Sequence, residues 1–150
     1  LMRAPSRFGV VVILACVLLI STTTMIHYEA LRGLSRHLPA LRIASRSKLL
    51  VVMFSAFVAH ALEIAVYGIA LFVLVKDFGV GKLVGPLGFS FINCLYFSAE
   101  TYTTLGFGDL VPTGAVRLLA GTETLNGLLL IGWSASYAYL SMERFWREDE

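Results

Sequence analysis

Apolar residues gather in three long blocks, 8–26, 49–75 and 115–139, with charged residues concentrated between and after them. The hydrocarbon core of a bilayer takes ~20 residues of helix to cross, so each block is long enough to span. Residues 8–26 carry no charge. Arg3 and Arg7 ahead of an apolar run would also suit a secretion signal. The length of the run and the poor cleavage site at Ser21-Thr22-Thr23-Thr24 favour a retained helix. No arginine recurs at every third position, which argues against a voltage sensor.

Residues 29–48 hold Arg32, Arg36, Arg42, Arg46 and Lys48. Leu31, Leu34, Leu38 and Leu41 recur between them at helical spacing, and Pro39 interrupts any single helix. Two readings stand: a short amphipathic element on the membrane surface, or an ordinary basic loop. Either puts this segment on the cytoplasmic side, against the smaller vote of Arg3 and Arg7. The N-terminus is then outside and the C-terminus inside. Residues 143–150 read as a short mixed-charge cytoplasmic tail, with Trp146 suited to the interface. Nothing in the remaining sequence reads as a ligand-binding domain.

The second and third blocks are interrupted by polar residues. His60 and Glu63 are three apart and share a helix face, as do Glu123 and Asn126. An ionised group at a helix centre costs ~2.5–3.5 kcal/mol on insertion scales, so these residues must face protein or water. A buried cluster of His60, Glu63, Glu123 and Asn126 is expected, serving as glue between helices. A pH-sensing His–Glu site is the sharper alternative. Leu128, Ile131, Ala135 and Tyr139 form one stripe of the third block, reading as a cavity lining or as a face toward lipid or a partner. Dewetting at Leu128 and Ile131 could close such a cavity.

A fourth apolar stretch, 89–103, is too short to cross. It follows an irregular loop containing Gly79, Gly81, Gly85, Pro86 and Gly88, and reads as a re-entrant helix entering from outside. Its carboxyl end would aim negative partial charge at a cation. Beyond it, Gly106 and Gly108 alternate with large apolar residues. Glycine reaches backbone angles that other residues avoid, so carbonyls from Thr104 to Phe107 can all face one way.

Composition supports a membrane protein: 57% hydrophobic, 15% charged, mean hydropathy +0.78. Soluble domains carry about 25% charged residues. The net charge of +2 gives no case for nucleic acid. Cys16 and Cys94 sit in apolar runs and read as packing thiols.

The stretch Phe97-Ser98-x-Glu100-Thr101-x-Thr103-Thr104-x-Gly106-x-Gly108-Asp109-x-x-Pro112 resembles the pore loop of potassium channels. The overall likeness is to small bacterial members of the two-pore-domain-like ion-channel family, over roughly 49–139. This resemblance implies an all-α membrane protein of three transmembrane helices, a re-entrant pore helix and a filter loop, assembled as a C4 homotetramer. It divides the chain into an extra helix and basic loop (1–48), a pore module (49–142) and a tail (143–150). It implies K+ coordinated by the carbonyls of Thr104, Leu105, Gly106 and Phe107 and the Thr104 hydroxyl, with Gly108 completing the filter. Tyr96, Phe97, Glu100 and Asp109 would support that filter, the two acids as a close pair or Asp109 alone at the mouth. Gly127 aligns with an inner-helix hinge, and Gly132 adds a second flexible point. Phe107 replaces the usual tyrosine and Leu105 the usual valine, so a filter more prone to relax is expected. The implied activity is passive potassium-selective conduction at a bacterial inner membrane, with no cofactor and no enzymatic chemistry. A non-selective cation channel is the first alternative. A proton-coupled transporter subunit using Glu63 and Glu123 and a non-conducting structural subunit follow.

Overall fold

The computed structural model describes residues 7–86 and 88–147. Arg3, the last residues of the tail and the side chain of Trp146 lie outside what it describes. Three long helices carry the fold: α1 (Arg7–His37), α2 (Ser45–Lys76) and α4 (Val116–Arg147), with the short helix α3 (Phe91–Tyr102) between the last two. Each long helix buries one narrow stripe. On α1 it is Val12, Cys16, Leu19, Thr23, His27, Leu31 and Leu34. On α2 it is Val52, Ala59, Glu63, Tyr67, Leu71 and Leu74; on α4, Val116, Leu119, Glu123, Asn126, Leu130, Ser134, Ser141 and Phe145. Steps of three and four keep each stripe on one face, as helices packing side by side require.

The outward faces are strongly apolar. Phe54, Phe57 and Leu18 are exposed on a single chain, as are Leu14, Leu50, Met53 and Val58. Helices α1 and α2 are long and apolar enough to cross a membrane. The α4 helix is as long, with Arg117, Glu123 and Asn126 diluting its hydropathy. Among the described residues both cysteines are free and buried.

Two segments differ from the sequence reading. The basic segment is not a separate surface element: α1 continues through it to His37, followed by a 3-10 turn at Leu38–Ala40 that contains Pro39. The reason is burial of Leu31, Leu34 and Leu38 on the stripe already begun upstream, with Leu38 packed among Val52 and Phe145. The glycine-rich segment, read as irregular, forms β1 (Gly81–Val84), paired antiparallel with β2 (Val111–Gly114). Gly81 faces Gly114 and Leu83 faces Pro112. A Cβ on Gly81 would lie 2.3 Å from the Thr113 carbonyl oxygen, so glycine here permits the strands to close rather than marking a loop. Leu83 is buried on the ribbon's inner side and anchors it to the core.

Candidate functional site

Helix α3 is capped by Ser90, whose hydroxyl accepts the Asn93 backbone N–H at 3.1 Å. This caps orphan donors at the helix start. At the other end the chain folds back on itself. The N–H groups of Thr103 and Thr104 reach Ala99 and Thr101, and those of Leu105 and Gly106 both reach the Glu100 carbonyl, at 2.8 and 3.3 Å. Thr104, Gly106 and Gly108 have φ of 62°, 57° and 79°. Every second residue from 104 to 108 is thus left-handed, an alternation that permits neighbouring carbonyls to face the same side. Thr104 is the non-glycine member, and a left-handed conformation there stores strain.

The loop's inner support is Glu100, which is 4% exposed and accepts the Phe107 backbone N–H on Oε2 at 3.3 Å. The Tyr96 hydroxyl donates to Asp109 Oδ1 at 3.4 Å. Glu100 turns to the loop backbone, Asp109 stays exposed, and the Tyr96 hydroxyl interacts with both acids. Phe97 is buried in the core among Tyr67 and Leu71 rather than against Phe107, which is 66% exposed. Asp109 is held from behind, because its carbonyl would lie 2.4 Å from a Cβ on Gly85, just past the end of β1.

On α4, Leu128, Ile131, Ala135 and Tyr139 all stay exposed, along one stripe below the loop. Gly127 is buried, and a Cβ there would meet the Tyr102 carbonyl oxygen at 2.3 Å. Its visible role is close packing of α4 against the end of α3.

Comparison with known proteins joins this geometry to a family. The profile described as ion channel matches residues 48–143, covering α2, the ribbon, α3, the loop and most of α4. The chain belongs to the ion channel family. Two-pore potassium channel 1 of Arabidopsis thaliana is 39% identical over 72 residues, which are 47% of this chain and 19% of that one. The chain thus spans about a fifth of that relative. No solved structure matches it.

The buried polar residues of this ion-channel chain fall into separate groups rather than the single cluster expected. Asn126 donates to Thr23 Oγ1 at 2.7 Å and to the Tyr67 hydroxyl at 3.2 Å, tying α4 to α1 and α2. Glu123 accepts from Ser98, which lies on α3. His60 and Glu63 do come together, His60 Nδ1 to Glu63 Oε2 at 3.1 Å, with the Tyr102 hydroxyl donating to the same oxygen.

His27 was missed by sequence reasoning. It is fully buried on α1, with Nδ1 2.9 Å from Glu63 Oε1 and Nε2 3.2 Å from Ser134 Oγ. The available signal was its position four residues after Thr23, on the face that faces the bundle. His27, His60 and Glu63 offer ligand atoms that all lie within 4.8 Å of one another, the one group of described residues able to hold a metal ion. Tyr102, Ser134, Thr23, Tyr67 and Ser98 were likewise unforeseen, each contributing a hydroxyl to a buried acid, imidazole or amide.

Proposed function

We propose that four copies of this chain assemble around a common axis and conduct potassium passively through the loop at 104–108. The observation that carries the reading is the left-handed alternation at Thr104, Gly106 and Gly108, set directly behind a helix whose carboxyl end adjoins it. Carbonyls aligned by such an alternation replace the hydration shell of a dehydrated cation. The coordinating atoms are the carbonyls of Thr104, Leu105, Gly106 and Phe107 with the Thr104 hydroxyl. One chain supplies a quarter of each ring, so closed fourfold symmetry follows from coordination. The exposure of Leu105 and Phe107 supports this, since neighbouring copies would cover them.

In this reading 1–48 adds an outer helix to the pore module of 49–142, and 143–150 is a cytoplasmic tail. The α4 helix is the third span, its polar residues turned inward to Ser98, Thr23 and Tyr67 and its exposed stripe of Leu128, Ile131, Ala135 and Tyr139 lining the cavity below the filter. The basic turn between α1 and α2 is cytoplasmic and the ribbon external. Glu100 holds the filter by its bond to Phe107, and Asp109 with Tyr96 guards the outer mouth.

A second reading, a non-selective monovalent cation channel, is favoured by one observation. Phe107 has no hydroxyl and is largely exposed on the single chain, which leaves the filter's back wall dependent on packing between copies. Purified protein in liposomes decides between the readings. Potassium efflux blocked by barium, with little sodium flux, from a complex of four chains' mass supports the first. Equal potassium and sodium flux supports the second. Saturable flux that survives Gly106→Ala contradicts both.

A further inference from the structure

The polar knot where α1, α2 and α4 meet has a composition of its own. Glu63 Oε1 meets His27 Nδ1 at 2.9 Å, and Glu63 Oε2 meets His60 Nδ1 at 3.1 Å. The other nitrogen of each ring meets the same Ser134 Oγ, at 3.2 Å for His27 and 3.1 Å for His60. This is a closed ring of four contacts. With an ionised carboxylate and neutral imidazoles, the two histidines and the serine bring one proton each, and one contact is left without any. The Tyr102 hydroxyl lies within hydrogen-bond reach of both Glu63 Oε2 and His60 Nδ1. A positive species seated between Glu63 and the two Nδ1 atoms would complete the ring and would also offset a carboxylate buried at 0% exposure.

We propose that this species is a divalent transition-metal ion of the zinc class, held by His27 Nδ1, His60 Nδ1 and a Glu63 oxygen. The Tyr102 oxygen, 2.9 Å from His60 Nδ1, stands as the fourth donor. Two imidazoles with oxygen donors suit zinc, cobalt and their neighbours rather than calcium or magnesium. The orientation of the rings fits the same occupant. When both Nδ1 atoms face a metal, both Nε2 atoms carry protons, and one serine oxygen accepts from both. A metal-bound histidine almost always donates its second N–H to such an oxygen, which fixes tautomer and ring plane. Ser134 is therefore a positioning residue rather than a ligand. The contacts of 2.9 and 3.1 Å, with all three ligand atoms inside 4.8 Å of one another, are of the scale of donors around a zinc ion, whose bonds are ~2.0–2.2 Å. His60 keeps 18% side-chain exposure while His27 and Glu63 have none, which places the entry beside His60.

The ion would pin α1 to α2 and both to Tyr102 at the end of α3, two residues before the loop. The experiment reads binding and not conduction, so its outcome is independent of the proposed selectivity. Chelator-treated full-length protein in detergent is titrated with Co2+, followed by visible absorption, and then displaced by Zn2+. The expected result is one metal per chain with the intense absorption of tetrahedral cobalt. Glu63→Gln preserves shape and hydrogen bonding but loses the anionic donor, and should abolish the spectrum while leaving the elution volume unchanged. Ser134→Ala should weaken binding about 10–100-fold. His37→Ala, which removes an exposed histidine bonded to its own helix, should change nothing. Absence of a cobalt spectrum in the wild-type chain, or a spectrum unaltered by Glu63→Gln, overturns the proposal and leaves a proton as the occupant.

Discussion

Gly127 lies directly beneath the carbonyl of Tyr102, so close that a Cβ would come to 2.3 Å of its oxygen and 2.9 Å of its ring. The last residue of α3 thus rests on α4 without an intervening side chain. Whatever moves α4 at this level displaces the base of the loop at 104–108. A glycine read as a hinge is first a point of contact.

Gly127→Ala should therefore destabilise the protein by about 1–3 kcal/mol, the usual cost of overpacking, and reduce flux. Gly132→Ala is the control. Nothing lies within 4 Å of that position, so alanine should stabilise the helix by about 0.4–1 kcal/mol. Thermal unfolding of both variants in detergent checks the contrast, and equal melting temperatures would refute it.

The loop glycines behave differently because their surroundings are open. No atom lies within 4 Å of a Cβ at Gly106 or Gly108, yet their φ values of 57° and 79° disfavour any L side chain. A left-handed alanine costs roughly 1–2 kcal/mol per residue. Gly106→Ala should leave the fold and the elution volume intact and abolish potassium flux in liposomes.

Removal of Glu100 isolates a backbone donor. Glu100→Ala strips the Phe107 N–H of its partner, at a cost of about 0.5–1.5 kcal/mol, the net worth of a typical hydrogen bond. Glu100→Gln retains an accepting oxygen. Flux should decay within minutes of reconstitution in the alanine variant and persist in the glutamine variant, measured in parallel at one protein-to-lipid ratio.

Asn126 and Thr23 should be energetically coupled. Their bond of 2.7 Å joins α1 to α4, and buried interhelical bonds in membrane proteins average about 0.6 kcal/mol, up to about 1.7. A double-mutant cycle of Asn126→Leu and Thr23→Val by unfolding in mixed micelles should return a coupling in that range. Strict additivity would show that the bond adds nothing.

The helices and the kinship were written plainly in the chain. Apolar runs set α1 and α2, a run too short to cross set α3, and the residues from Phe97 to Pro112 pointed to an ion channel before any comparison. The rest depended on what lies across the fold. The ribbon escaped because Gly81 and Gly114 look like turn residues in one dimension, whereas their smallness serves a close strand pair. His27 escaped because the first span was ended at Ile26, one residue short of it. The polar residues were identified as buried, yet their partners were set by helix rotation, which periodicity within one helix does not report. Thr104 shows no sequence sign of its left-handed backbone, because the strain is imposed by the fold-back onto Glu100.

Four such loops, in the proposed assembly, strip and replace the water of potassium. Reversal potential in a planar bilayer, with potassium on one side and sodium on the other, measures it most directly. Current should reverse close to the potassium equilibrium potential and be blocked by barium. Reversal near zero under the same gradient, or no current from protein of verified fold, would contradict it.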